Sequence, residues 1–97
     1  MTWDDFNESL STGAPPAGIS AALAALWWDA KGGWQQAHEL AQSDAGKDGS
    51  WVHAYLHRVE GDETNAAYWY RRAAQPIASG SLEAEREAIV RALLQRG

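Results

Sequence analysis

The chain contains no cysteine, which excludes a disulfide framework and any thiolate nucleophile. Lysine is almost as scarce. Only Lys31 and Lys47 occur in 97 residues, and the formal net charge is −5. Phosphate backbones reward clustered lysine and arginine, so this balance argues against nucleic-acid binding. The arginines gather toward the C-terminal half, at Arg58, Arg71, Arg72, Arg86, Arg91 and Arg96, in the manner of solvated helix faces. No apolar run reaches membrane-spanning length. The longest nearly apolar stretch, Ile19 to Trp28, is about half of what a bilayer needs. The opening Thr2-Trp3-Asp4-Asp5 lacks the basic and apolar regions of a secretion signal. A reducing compartment or the periplasm suits a cysteine-free chain, and the expected setting is the cytoplasm, with no membrane partner. No segment alternates with period two, so no strand is expected and the fold class is all-α.

What is present is tryptophan, six times over: Trp3, Trp27, Trp28, Trp34, Trp51 and Trp69. Large aromatic side chains bury much area per residue, and the many alanines let helices approach them closely. A length of 97 residues predicts one domain, 1–97, with a single core.

Thr2 with Asp5 resembles a capping box opening a short first helix, on which Trp3, Phe6 and Leu10 share a face. Pro15-Pro16 punctuates a loop from Thr12 to Gly18. Ser20 is a fair N-cap for a second helix to about Lys31, apolar nearly all round and therefore central. Gly32-Gly33 makes a tight turn into a third helix, Trp34 to about Gln42. Asp44 to Gly49 reads as a polar loop, with Ser50 capping a fourth helix that stops at Gly61. Asp62 opens a fifth helix, which ends before Pro76. After the loop Gln75–Ser81, a last helix from Leu82 carries a stripe of Ile89, Val90, Leu93 and Leu94. A surface pair, Glu87 with Arg91, accompanies that stripe.

The strongest organisational signal is an internal repeat. Ala25 and Ala54, Gly32 and Gly61, and Ala37 and Ala66 are each 29 positions apart. Each unit is a helix, a glycine turn and a second helix with alanine at the closest approach. In the second unit, Ala54, Gly61-Asp62, Ala66, Tyr70, Ala73 and Pro76 resemble the tetratricopeptide repeat, which implies two TPR-like antiparallel helical hairpins, about residues 20–43 and 50–75. The pattern departs from that family at His53 and His57, where it has a leucine and a tyrosine, and in a period shorter than the usual ~34 residues. Two units are fewer than repeat stacking needs, so short N-terminal and C-terminal helices are expected to cap them through Trp3/Phe6 and Ile89/Leu93. The run Trp51 to Asp62, followed by Asn65-Ala66-Ala67-Tyr68-Trp69-Tyr70-Arg71-Arg72-Ala73, also resembles the hallmark of a small bacterial and fungal family without an assigned activity. Trp28, Lys31-Gly32, Trp34 and Ala37-His38-Glu39 resemble its first half.

Two groups of residues could carry chemistry. Stepping about 100° per residue from Trp51 places His53, His57 and Glu60 together near 200°, 240° and 180°, a polar stripe on an otherwise apolar helix. Two imidazoles and a carboxylate can bind zinc or another divalent ion, or work as general acid and base near neutral pH. His38, Glu39 or Lys31 of the first unit could assist. The plainer reading is that these histidines pack against neighbours and bond to backbone carbonyls or to Glu60. An HxxxH spacing lacks the intervening glutamate that marks zinc proteases.

The second group is aromatic and basic. Ala66, Tyr70 and Ala73 share the inner face of helix five, which leaves Tyr68 outside, between Arg71 and Arg72. An exposed tyrosine beside arginines suits peptide or carboxylate recognition, and otherwise simply covers a neighbouring helix. The leading expectation is thus an interaction module binding a protein or peptide through Trp51, Tyr55, Arg58, Tyr68 and Arg72, or dimerising through exposed tryptophan. The alternative is a small-molecule or divalent-metal binding protein, or an enzyme, using His53, His57, Glu60 and His38. No nucleophile–base pairing, phosphate-cradling loop or dinucleotide motif marks a catalytic class, and no organic cofactor is expected.

Overall fold

The computed structural model describes residues 1–96, and every regular element among them is an α-helix. In chain order these are α1 (Trp3–Ser9), α2 (Ala21–Ala30), α3 (Trp34–Ser43), α4 (Lys47–Val59), α5 (Glu63–Ala73) and α6 (Leu82–Arg96). The helix starts are chemically marked. Asp5 N–H donates to Thr2 Oγ1 at 3.1 Å while Thr2 N–H donates to Asp5 Oδ2 at 3.1 Å, the reciprocal pair of a capping box. Ser20 Oγ accepts from Leu23 N–H, and Asp62 Oδ1 from Asn65 N–H, both at 3.2 Å.

One start differs from expectation. α4 begins at Lys47 behind Gly46, and Ser50 lies buried within the helix instead of capping it. Asp44 folds over its own loop, Oδ1 accepting from Gly46 N–H at 2.9 Å, which closes the turn in fewer residues than a loop to Gly49 would use. Gly49 allows this, because a Cβ there would lie 2.1 Å from the Asp44 carbonyl oxygen. The second helical pair therefore starts at Lys47, not at residue 50.

α2 packs against α3, and α4 against α5, while α4 also touches α2, α3 and α6. α6 is the longest helix at 15 residues and packs on α1, α2 and α4, so it is no short cap. The two pairs leave apolar surface that only a long helix can cover. Ile89, Val90 and Leu93 fill it, joining Phe6, Leu26, Trp27, Val52, Tyr55 and Leu56 in one core. Each such side chain removed from water contributes about 1.5–3 kcal/mol. A smaller cluster, Ala54, Ala66 and Tyr70, joins α4 to α5, with Trp51 and Trp69 against it.

Candidate functional site

Three of the four candidate ligand residues meet at the junction of α3, α4 and α5. Ala37 and Ala41 on α3 and Ala54 on α4 are buried, and their small size lets the helices approach until the longer side chains beside them touch. His53 and His57, one turn apart on α4, are 4 % and 7 % exposed, and His38 reaches them from α3. One ring nitrogen from each of the three lies within 4.8 Å of the others.

The rings are ordered by neighbours sequence reading did not assign to the site. Trp69 of α5 stacks on His53 at 3.8 Å between centroids and 13° between planes, and His57 lies on the other side at 4.8 Å and 25°. His38 stands edge-on to both, at 4.6 and 5.4 Å, and is itself stacked on Trp34 at 4.9 Å. Trp34 is fixed from its far end, where its indole N–H donates to the Leu56 carbonyl at 2.9 Å. The site is a box of three imidazoles between two indoles.

Its electrostatics follow from burial. Desolvation, and then the neighbouring imidazoles of His38 and His57, lower the pKa of His53 to about 4. The His38 pKa is also lowered, first by desolvation and then by His57, with Glu60 and Glu39 opposing. Both rings are therefore neutral near pH 7, the form that offers a lone pair. His57 Nδ1 is 2.5 Å from Glu60 Oε1, and Glu60 is 38 % exposed at the rim. A second grouping, His57, Glu60 and Asp62, is also compact, but both Asp62 oxygens serve the α5 cap through Asn65.

The five residues expected to bind a partner do not form one face. Tyr55 is 2 % exposed and donates from its hydroxyl to Asp29 Oδ2 at 3.1 Å. Arg58 turns inward to Glu85 Oε1 at 2.8 Å and to the Gly80 carbonyl. Trp51 is half-buried against both apolar clusters. Tyr68 stays exposed at 44 %, and Arg72 lies over its ring and donates to its hydroxyl at 3.2 Å. Arg72 also lies over Trp69, at 5.2 Å. Lys31 is taken up elsewhere, donating to the carbonyls of Leu10 and Thr12.

A buried polar network escaped the sequence reading altogether. Glu85 of α6 accepts from Arg58 with one oxygen and from the Tyr70 hydroxyl with the other. Burial, and then this contact, push the Tyr70 phenol pKa upward, so Tyr70 stays a donor. Arg58 and Tyr70 lie 27 and 15 positions from Glu85, beyond the reach of any local pattern. A surface groove of ≈ 470 Å³ beside Ile19, Leu23, Leu93 and Leu94 lies away from the histidines.

No helix among the described residues is long and apolar enough to cross a membrane. Comparison with protein families, with curated proteins and with solved structures found no match to this chain.

Proposed function

We infer that the protein binds a divalent transition-metal ion of the zinc class through His38, His53 and His57. The observation that carries this reading is the meeting of three imidazole nitrogens from two helices within 4.8 Å. Imidazole is a ligand for zinc, copper, nickel and cobalt, whereas magnesium and calcium call for oxygen. Tetrahedral zinc holds nitrogens at ~2.0–2.1 Å, which spaces them about 3.3 Å apart. The rings need to close by about 1.5 Å or less, and to turn, because the lone pairs of near-parallel His53 and His57 do not yet converge. That turn has to come from rotation about the side-chain bonds of His53 and His57, while His38, the least buried of the three, closes the distance. Three imidazoles leave one tetrahedral position for water or a small anion. The cysteine-free, acidic composition fits a cytoplasmic setting for such a protein.

Native mass spectrometry of chelator-free protein, with and without added zinc, tests the reading. One zinc per chain is expected, lost in His53→Ala and in His57→Ala. A zinc-free chain, or zinc retained by both variants, would overturn it. The same spectra report whether the chain dimerises.

A peptide-binding reading is favoured by one observation, the exposed Tyr68 ring held by Arg72. Its surface reduces to Tyr68, Trp69 and Arg72, suited to a carboxylate-bearing peptide. Amide shifts confined to α5 in a titration with acidic peptides would support it. Shifts spread over the whole chain, or none at all, would sink it.

A further inference from the structure

The contact between His57 and Glu60 decides how the proposed site would be wired. A carboxylate oxygen that accepts from His57 at 2.5 Å places the proton on Nδ1. A neutral imidazole with Nδ1–H keeps its lone pair on Nε2. The two atoms are also too close to be neighbouring ligands of one tetrahedral ion, which are spaced about 3.3 Å apart.

We propose that Glu60 is a positioning residue that fixes His57 in the Nδ1–H tautomer, so that His57 binds the ion through Nε2 while Glu60 stays outside the ligand set. This rests on the metal-binding reading and adds what that reading leaves open, the atom used and the role of the carboxylate. The placement suits the task. Glu60 is the C-cap of α4 and lies three residues after His57, so the helix itself presents the carboxylate to the ring. Neither His38 nor His53 makes a hydrogen-bond contact with a carboxylate of comparable length, so His57 is the one imidazole of the three whose tautomer is set in this way among the described residues.

The experiment titrates the full chain with zinc alone, reading affinity by calorimetry and the ring nitrogens by ¹⁵N NMR. In the wild type, zinc is expected to move the His57 Nε2 resonance and leave Nδ1 protonated. Glu60→Ala is expected to weaken zinc binding about 10- to 100-fold. Glu60→Gln, whose amide oxygen still accepts from Nδ1–H, is expected to lose less. Circular dichroism establishes that both variants fold. Zinc on Nδ1 of His57, or Glu60→Ala binding within twofold of the wild type, would overturn the proposal and leave the three-histidine reading intact. A wild type that takes up no zinc would overturn both.

Discussion

The pairs α2/α3 and α4/α5 turn on one backbone device and bury different chemistry around it. Gly32 and Gly61 stand in the left-handed region at φ 85° and 86°. The next residue's N–H returns to the helix in each case, Gly33 to the Trp28 carbonyl at 2.8 Å and Asp62 to the His57 carbonyl at 2.9 Å. These are matching Schellman turns, 29 residues apart. Around the first, α2 buries Ala22, Leu23, Ala25, Leu26 and Trp27, all apolar. Around the second, α4 buries Ser50, His53, Tyr55 and His57 beside its apolar residues. Trp28 and His57 occupy the same place in the turn, as do Asp29 and Arg58. The same turn thus follows a helix with an all-apolar buried face in α2 and one with a mixed polar and apolar buried face in α4, and the histidine cluster draws His38 and Trp34 from α3 as well.

The largest effects test that division. Trp27 is fully buried and its indole N–H donates to Ser9 Oγ at 3.0 Å, so Trp27→Ala should cost about 3–5 kcal/mol in urea unfolding. His53→Phe keeps a flat ring on Trp69 and should cost under about 1.5 kcal/mol while abolishing zinc uptake. Equal losses in the two variants would show that the histidines are core residues like Trp27, and the contrast between the pairs would fall.

Next come the two tyrosine links, each joining a pair to another helix. Tyr70→Phe removes a bond to the buried Glu85 carboxylate and should cost about 2 kcal/mol. Tyr55→Phe removes the bond to Asp29, whose carboxylate is less buried, and should cost about 1 kcal/mol. A reversed order in the same unfolding assay would mean that the α5–α6 network holds less of the fold than its burial implies.

Much of this architecture was legible in the sequence because it depends on local signals. Thr2, Ser20 and Asp62 announce caps through their own side chains, and Gly32 and Gly61 announce turns that other residues resist. The stripe His53, His57 and Glu60 was visible as helical periodicity, and His57 with Glu60 do touch. The rest depends on contacts distant in sequence. Nothing near Trp69 or Trp34 signals that they wall the histidines, and a wheel cannot show that Arg58 turns inward to a glutamate on another helix. Ser50 misled because an N-cap residue type also fits inside a helix when a glycine before it lets the chain close early.

The turns offer a finer comparison. A Cβ at Gly32 or Gly61 would meet nothing within 4 Å, so alanine there costs only its backbone strain, about 1 kcal/mol and equal at both. α5 ends in the same kind of turn with Ala74 at φ 58°, Gln75 N–H returning to the Tyr70 carbonyl at 3.0 Å. There the strain is already present. Ala74→Gly should stabilise the fold by about 0.5 kcal/mol, the gain being trimmed by the freedom glycine adds to the unfolded chain. Unequal losses at Gly32 and Gly61 in thermal unfolding would show that the two turns are alike only in outline.

The smallest expected effect is a change of slope. Burial raises the Asp29 pKa above its ordinary 3.8, more than the Tyr55 hydrogen bond and the charge of Arg86 lower it. The folded chain therefore binds this proton more tightly than the unfolded chain does. Asp29 contributes stability below about pH 3.8, and that contribution is lost as pH rises through the raised folded value. An asparagine amide in its place does not titrate, and its oxygen still accepts from Tyr55. The stability of Asp29→Asn relative to wild type should thus increase as pH rises from below 3.8 toward neutrality, in paired urea melts at each pH. A difference that stayed flat, or in which the variant lost ground with rising pH, would mean that Asp29 is held as an ion by its partners.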